Sequence, residues 1–208
     1  CEDWWDPLWT KRRRVRVDYS SLSATLEDFP WVISLDATTL DLSSAKTDGS
    51  DLRFVSYNGQ SMLRYEIERW DPQGKSTVWL RLRELDHSEP AAELFVWMYY
   101  GNANADALPS ASTWNDGFVS VHHLTGNFDD STVSQNHGMQ IEVTAVPTPV
   151  ADRFIGGAQE FDGTNDHVIL PNESDYDFDK GLTVSVWVRV VSWTTNVNWQ
   201  AVVTKGDD

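Results

Sequence analysis

The sequence predicts an all-β protein built from antiparallel sheets. Apolar residues recur at every second position through most of the chain, the period of a strand with one covered face. Clusters of Gly, Asn, Asp and Pro punctuate these runs at short intervals, as hairpins require. No stretch shows the 3.6-residue period of an amphipathic helix.

The elements follow in order. A lead-in with Trp4, Trp5 and Trp9, expected to plug the bottom of the unit, runs into a strand in which Val15 and Val17 alternate with Arg16 and Asp18. Trp31, Ile33 and Leu35 then alternate with Val32, Ser34 and Asp36. Leu52 to Tyr57, Ser61 to Trp70 and Ser76 to Leu85 are three consecutive runs, predicted to form a meander. Asn58-Gly59 joins the first two, a strong hairpin signal because both residues tolerate positive φ. "DPQGK", Asp71 to Lys75, joins the next two. "LFVWMYYG", Leu94 to Gly101, is apolar on both faces and reads as a central strand. The small, polar stretch from Gly101 to Gly117 reads as a boundary. Strand-like runs resume at "FVSVHHL", "HVILP", "LTVSVWVRVV" and "QAVVTKG". This second set is too short to close a sandwich without an unpaired edge, so further strands are expected from beyond Asp208 or from another chain. The expected organisation is a lead-in and anchor segment at 1–14, a β-sandwich at 15–106, a linker at 107–116 and a second all-β unit at 117–208.

Composition narrows the function. The net charge of −16 repels phosphate backbones, which argues against a nucleic-acid partner. Eleven tryptophans in 208 residues suit both sandwich cores and sugar-stacking surfaces. No apolar run is long enough to cross a bilayer. Cys1 is the only cysteine, so neither an internal disulfide nor a cysteine-rich zinc site is possible within this sequence. A first residue that is the sole cysteine fits a bacterial lipoprotein acylated on that thiol. The membrane contact then runs through a lipid anchor alone, and the chain sits in the cell envelope, periplasmic or at the cell surface.

The first half resembles the domain of unknown function DUF2341. The likeness rests on "DWWDPLWTKRRRVRV" at Asp3 to Val17, "DFP" at Asp28 to Pro30, "DGSDLRF" at Asp48 to Phe54, "YEIERWD" at Tyr65 to Asp71, and "WMYYGN" at Trp97 to Asn102. The second half resembles part of a laminin-G-like, concanavalin-A-like jelly roll. There the matching residues are "VHHL" at Val121 to Leu124, "DDSTVSQNHG" at Asp129 to Gly138, "FDGTNDHVILP" at Phe161 to Pro171, and "LTVSVWVRV" at Leu182 to Val190. The first resemblance implies no agreed activity. It implies a secreted or envelope protein, in some cases associated with proton-channel proteins of the TolQ/ExbB type. The second implies glycan or protein binding, sometimes through calcium at the rim of the sandwich, and for a few jelly rolls glycoside hydrolysis.

Several side-chain groups are candidates for chemistry. Glu66 and Glu68 in "EIERWD" alternate on one strand face, about 7 Å apart, within the reach of two-carboxylate glycoside hydrolysis. Arg81 and Arg83 on the next strand are expected on the same face. Such pairing would finish an ordinary wet sheet face and hold the carboxyl pKa low, wrong for a general acid. No catalytic residue is assigned. His122 and His123 fall on opposite faces of a strand and are not expected to share an ion. Calcium is the ion that two oxygen-rich loops suit best, with Asp129, Asp130 and Asn136 in one and Asp162, Asn165 and Asp166 in the other. Asp and Asn also recur in loops simply because they make turns. Trp193 and Trp199 flank "TTNVN" and are the candidate sugar-stacking pair, although such a pair also seals interfaces. "KRRRVR", Lys11 to Arg16, is the one basic cluster, read as outward strand residues paired with acidic neighbours or as an attraction to anionic lipid.

Together these readings describe a non-catalytic envelope protein that recognises a glycan or a protein. A structural or accessory subunit docking on a membrane proton-channel complex is the alternative, and a glycoside hydrolase the outside one.

Overall fold

The structure, a computed structural model, describes residues 4–18, 22–85, 95–114, 117–140, 143–151, 155–192 and 201–205. It is all-β with antiparallel sheets, 32% strand and 3% helix. The strands are β1 (Lys11–Arg16), β2 (Leu26–Asp36), β3 (Arg53–Ser56), β4 (Arg64–Arg69), β5 (Lys75–Leu85), β6 (Phe95–Tyr100), β7 (Thr148–Val150) and β8 (Ala158–Glu160). Two three-stranded sheets, ordered β1-β6-β3 and β2-β5-β4, make the sandwich, and β7-β8 is a separate pair. Among the described residues no helix is long and apolar enough to cross a membrane.

Alternation sorts each strand's residues between core and outside. Val96, Met98 and Tyr100 of β6 and Phe54 of β3 meet Ile33 and Leu35 of β2, Tyr65 of β4, and Val78, Leu80 and Leu82 of β5 in one buried cluster. Burying each such large apolar side chain contributes roughly 1.5–3 kcal/mol, so this cluster dominates the stability of the fold. β6 is the central strand of its sheet, as its two apolar faces predict. Its other face, Trp97 and Tyr99, packs with Val55, Trp9 and Ala105 in a second buried cluster joined by Trp5 and Phe95. The lead-in tryptophans therefore cover the outside of this sheet rather than plugging one end of the sandwich.

The predicted meander is broken at its first turn. The Asn58-Gly59 turn forms, with Gly59 at φ +73°. However, β3 pairs with β6, and β4 pairs with β5 in the other sheet. A single bridge, Val55 to Met62, marks the corner where the chain changes sheets. Phe54 and Tyr65 both face the core from opposite sheets, their rings 5.1 Å apart, which is why the corner is favourable.

Asp51 ties the ends of this sandwich together. Its carboxylate is fully buried and accepts from the backbone N–H of Lys46 at 2.9 Å and of Gly101 at 2.6 Å. The indole of Trp9 donates to the Asp51 carbonyl at 2.6 Å.

Beyond Trp114 regular structure is sparse among the described residues. The predicted runs "FVSVHHL" and "HVILP" contribute only the isolated bridges His122 to Asp130 and Met139 to Ile169 among the described residues. Leu182 to Val190 takes no part in a described ladder, and its apolar residues are exposed. Cys1, Trp193 and Trp199, the expected anchor and the candidate stacking pair, lie outside the described residues.

Candidate functional site

Glu66 and Glu68 of "EIERWD" lie on the outer face of β4, because Tyr65 and Ile67, which alternate with them, face the core. Register places Trp79 of β5, not an arginine, opposite Glu66. Arg81 sits opposite Arg64 and binds Asp28 at 2.9 Å. The expected cross-strand pairing of Glu66 and Glu68 with Arg81 and Arg83 is thus replaced by another set of partners. Arg81 shares the outer face but stands two residues along from the position opposite Glu66, beside Arg64.

Apart from Trp79 of β5, those partners come from Trp114 and residues 117–131, which fold back over the outer face of β4 and β5. A 3₁₀ turn at Ala111–Thr113 lies against β4 and delivers Trp114. The Trp114 indole donates to Glu66 Oε2 at 2.6 Å, and the Ser131 hydroxyl donates to Glu66 Oε1 at 2.6 Å. Trp79 donates to Glu68 Oε2 at 2.7 Å, and the Thr125 hydroxyl to Glu68 Oε1 at 2.7 Å. His123 stands between the two acids, with Nε2 3.2 Å from Glu66 Oε2 and Nδ1 3.4 Å from Glu68 Oε2. Each ring nitrogen thus faces one of the carboxylates. Its ring stacks on Trp79 at 5.6 Å and leans on Trp114 at 5.8 Å.

The cluster is sealed. Side-chain exposure is 13% for His123, 11% for Glu66 and 2% for Glu68. Gly156, at φ +59°, lies so close that a Cβ would collide with Glu68 Oε1. The next residue, Gly157, donates its N–H to Thr125 Oγ1 at 3.1 Å. The paired glycines of "FIGGAQ" therefore let the backbone pass over the carboxylate before β8 begins. Burial pushes the Glu66 carboxyl up, but the bond and charge of His123, with the Ser131 and Trp114 bonds, outweigh it. Its pKa is held below the ordinary value. A general acid needs the opposite shift and contact with substrate.

The six candidate metal ligands are occupied locally. Asp130 is buried and accepts from the N–H groups of Val121, Thr132 and Asn136, each at 2.9 Å. Burial raises its pKa, but these bonds lower it further. Asp129 accepts from Asn127 at 2.6 Å. Asn136 donates to Asp175 at 3.1 Å and accepts from Asn172 at 2.6 Å. Asp162 accepts from the Thr164 N–H, Asp166 from the Asp162 N–H, and Asn165 donates to the Thr144 carbonyl. Among the described residues no three His, Cys, Asp or Glu side chains are grouped to hold a metal ion. A cavity of about 140 Å³ lies beside Asp48, Ser50, Tyr65 and Leu108. That is small beside the roughly 300–1,000 Å³ of small-molecule sites.

The fold and site thus define an antiparallel β-sandwich whose outer sheet face carries a buried Glu-His-Glu cluster. Residues 48–136 match the protein-family model described as Domain of unknown function (DUF2341). No curated protein and no solved structure matches the chain. The match begins after the lead-in and first two strands and runs past the stretch expected as a linker. It contains Glu66, Glu68, Trp79, Trp114, His123, Thr125 and Ser131 together.

Proposed function

We propose that this is a non-catalytic recognition protein of the bacterial cell envelope, binding a glycan or a protein. The observation that carries the reading is the sealed carboxylate pair. Glu66 and Glu68 have the alternate spacing of a glycosidase motif, yet each oxygen already accepts from an indole or hydroxyl and the pair is covered by Trp114 and residues 117–131 and 156–157. Burial at 11% and 2% side-chain exposure keeps a substrate from the acids, and the depressed Glu66 pKa opposes proton donation. In this reading Cys1 carries the lipid anchor and the second half is part of a laminin-G-like jelly roll, with calcium at its loops.

The test is a glycan array with the full chain, with and without a calcium chelator, alongside reducing-sugar release from the same polysaccharides. Retention of some glycans without release supports the proposal. Sugar release that disappears in Glu66→Gln overturns it. A diacyl or triacyl mass on the native Cys1 tests the compartment separately.

A further inference from the structure

The basic cluster of β1 is set on an aromatic floor, and this gives it a geometry suited to one ligand class. β1 is the edge strand of its sheet, and register places Arg12, Arg14 and Arg16 beside Tyr99, Trp97 and Phe95 of β6. The Arg12 guanidinium lies 4.1 Å from the Trp97 ring centroid and 4.8 Å from that of Trp4. Arg12 also donates to the Tyr99 hydroxyl at 3.2 Å. The Arg14 guanidinium lies 4.7 Å from the Phe95 ring and 5.0 Å from Trp97. The floor continues to Tyr57, 6.5 Å from Phe95 and 58% exposed, while Trp4 is 41% exposed at the other end. Arg14 and Arg16 are exposed.

Cation–π stacking fixes the guanidinium planes, so less rotamer freedom is lost when their edges meet an anion. Arginine's planar fork matches carboxylate and sulfate, where lysine would act only as a point charge. Four of the five cations in Lys11 to Arg16 are arginines. The flanking rings offer flat apolar faces of the kind that stack on a pyranose. Three of these cations, Arg12, Arg14 and Arg16, share one face of β1 in a chain whose net charge is −16. The rest of the surface repels polyanions, so attraction to one is confined to this strip.

We propose that the edge strand β1, with Arg12, Arg14 and Arg16 and the flanking rings of Trp4 and Tyr57, binds an anionic polysaccharide through its carboxylate or sulfate groups. The proposal rests on the recognition reading above and names its ligand class and surface.

Titration calorimetry of the full chain against polygalacturonate, dextran sulfate and plain dextran tests it, with phosphatidylglycerol vesicles as a fourth arm. Binding to at least one anionic polymer and not to dextran is expected, weakening as salt rises. Preference between the two polymers tells carboxylate from sulfate. Arg14→Gln/Arg16→Gln should weaken binding by about tenfold or more. Arg16→Gln alone, an exposed edge-strand change, should give part of that loss and serves if the double variant is poorly folded. Arg14→Lys/Arg16→Lys should restore only part of the affinity, since charge returns without the stacked fork. Failure to bind both anionic polymers, equal binding to vesicles, or wild-type affinity in the glutamine variants overturns the proposal. If neutral glycans are retained on the array while both polyanions fail, this inference falls and the recognition reading stands. If nothing is retained anywhere, both fall.

Discussion

His123→Ala is the sharpest perturbation of the Glu-His-Glu cluster. It removes the ring that stands between the two carboxylates and leaves them together on one strand face, about 7 Å apart. Both side chains are nearly excluded from water, at 11% and 2% exposure. Hydrogen bonds to charged groups contribute about 1.5–3 kcal/mol each. The 3.2 Å contact to Glu66 is a hydrogen bond at the weak end of that range, and the 3.4 Å contact to Glu68 is an ion-pair separation. That bond together with the strain of two carboxylates left buried side by side gives about 3 kcal/mol, near the low end of the roughly 3–5 kcal/mol seen when one partner of a buried pair is removed. We expect His123→Ala to lose about 3–4 kcal/mol, measured by urea denaturation with tryptophan fluorescence and far-UV circular dichroism. Glu68→Gln removes one of the two carboxylates, so His123→Ala/Glu68→Gln should be more stable than the sum of the single changes by about 1 kcal/mol or more. A single-variant loss within about 0.5 kcal/mol of zero, or strict additivity in the pair, would refute the clamp.

Three further outcomes follow from the same geometry. Glu66 titrates below its ordinary 4.5 in the folded state, so its stabilising contribution is complete above the unfolded carboxylate range and is lost as pH falls through its folded value. Thermal melting should therefore drop on acidification more steeply in the parent than in Glu66→Gln, and parallel curves would remove Glu66 from the acid response. Gly156→Ala meets both a left-handed backbone and the Glu68 carboxylate, and should cost about 1–3 kcal/mol, with faster proteolysis near 155–160 as the local readout. Asp51→Ala orphans the N–H groups of Lys46 and Gly101 inside the protein. A loss of about 2–4 kcal/mol is expected in chemical denaturation, and an unchanged midpoint would show that the two segments find other partners.

Much of the sandwich was legible because its signals are local. Tyr65 and Ile67, Val78 and Leu80, and Ile33 and Leu35 all alternate as they pack. The double apolar face of Phe95 to Tyr100 marked the central strand because both its faces are covered. Strand pairing was less legible. A hairpin signal at Asn58-Gly59 fixes the turn, but it does not say whether the strands stay in one sheet or turn a corner. Corner turning is decided by Phe54 and Tyr65, whose side chains must both reach one core from different sheets. The basic cluster was legible as charge; its aromatic floor depended on the β1–β6 register, which no run of β1 itself contains.

The carboxylate pair shows why a same-face motif is ambiguous. Alternation puts Glu66 and Glu68 side by side whether they serve a substrate or the fold. What separates the two roles is what lies above them. Here the cover consists of Trp114, His123, Thr125, Ser131 and the Gly156-Gly157 backbone, 46 or more residues away in sequence. No periodicity connects positions so distant. The donor set itself is more informative than the acids. Each carboxylate receives one indole and one hydroxyl, and the imidazole bridges both. An apolar replacement for the acids would orphan two indoles and two hydroxyls, at about 1–3 kcal/mol for each left buried. The acids are thus needed by their cover as much as the cover by the acids. This mutual requirement sets where Trp114 and residues 117–131 can dock, since an apolar face alone would accept many positions and the three donors they bring, Trp114, Thr125 and Ser131, accept one.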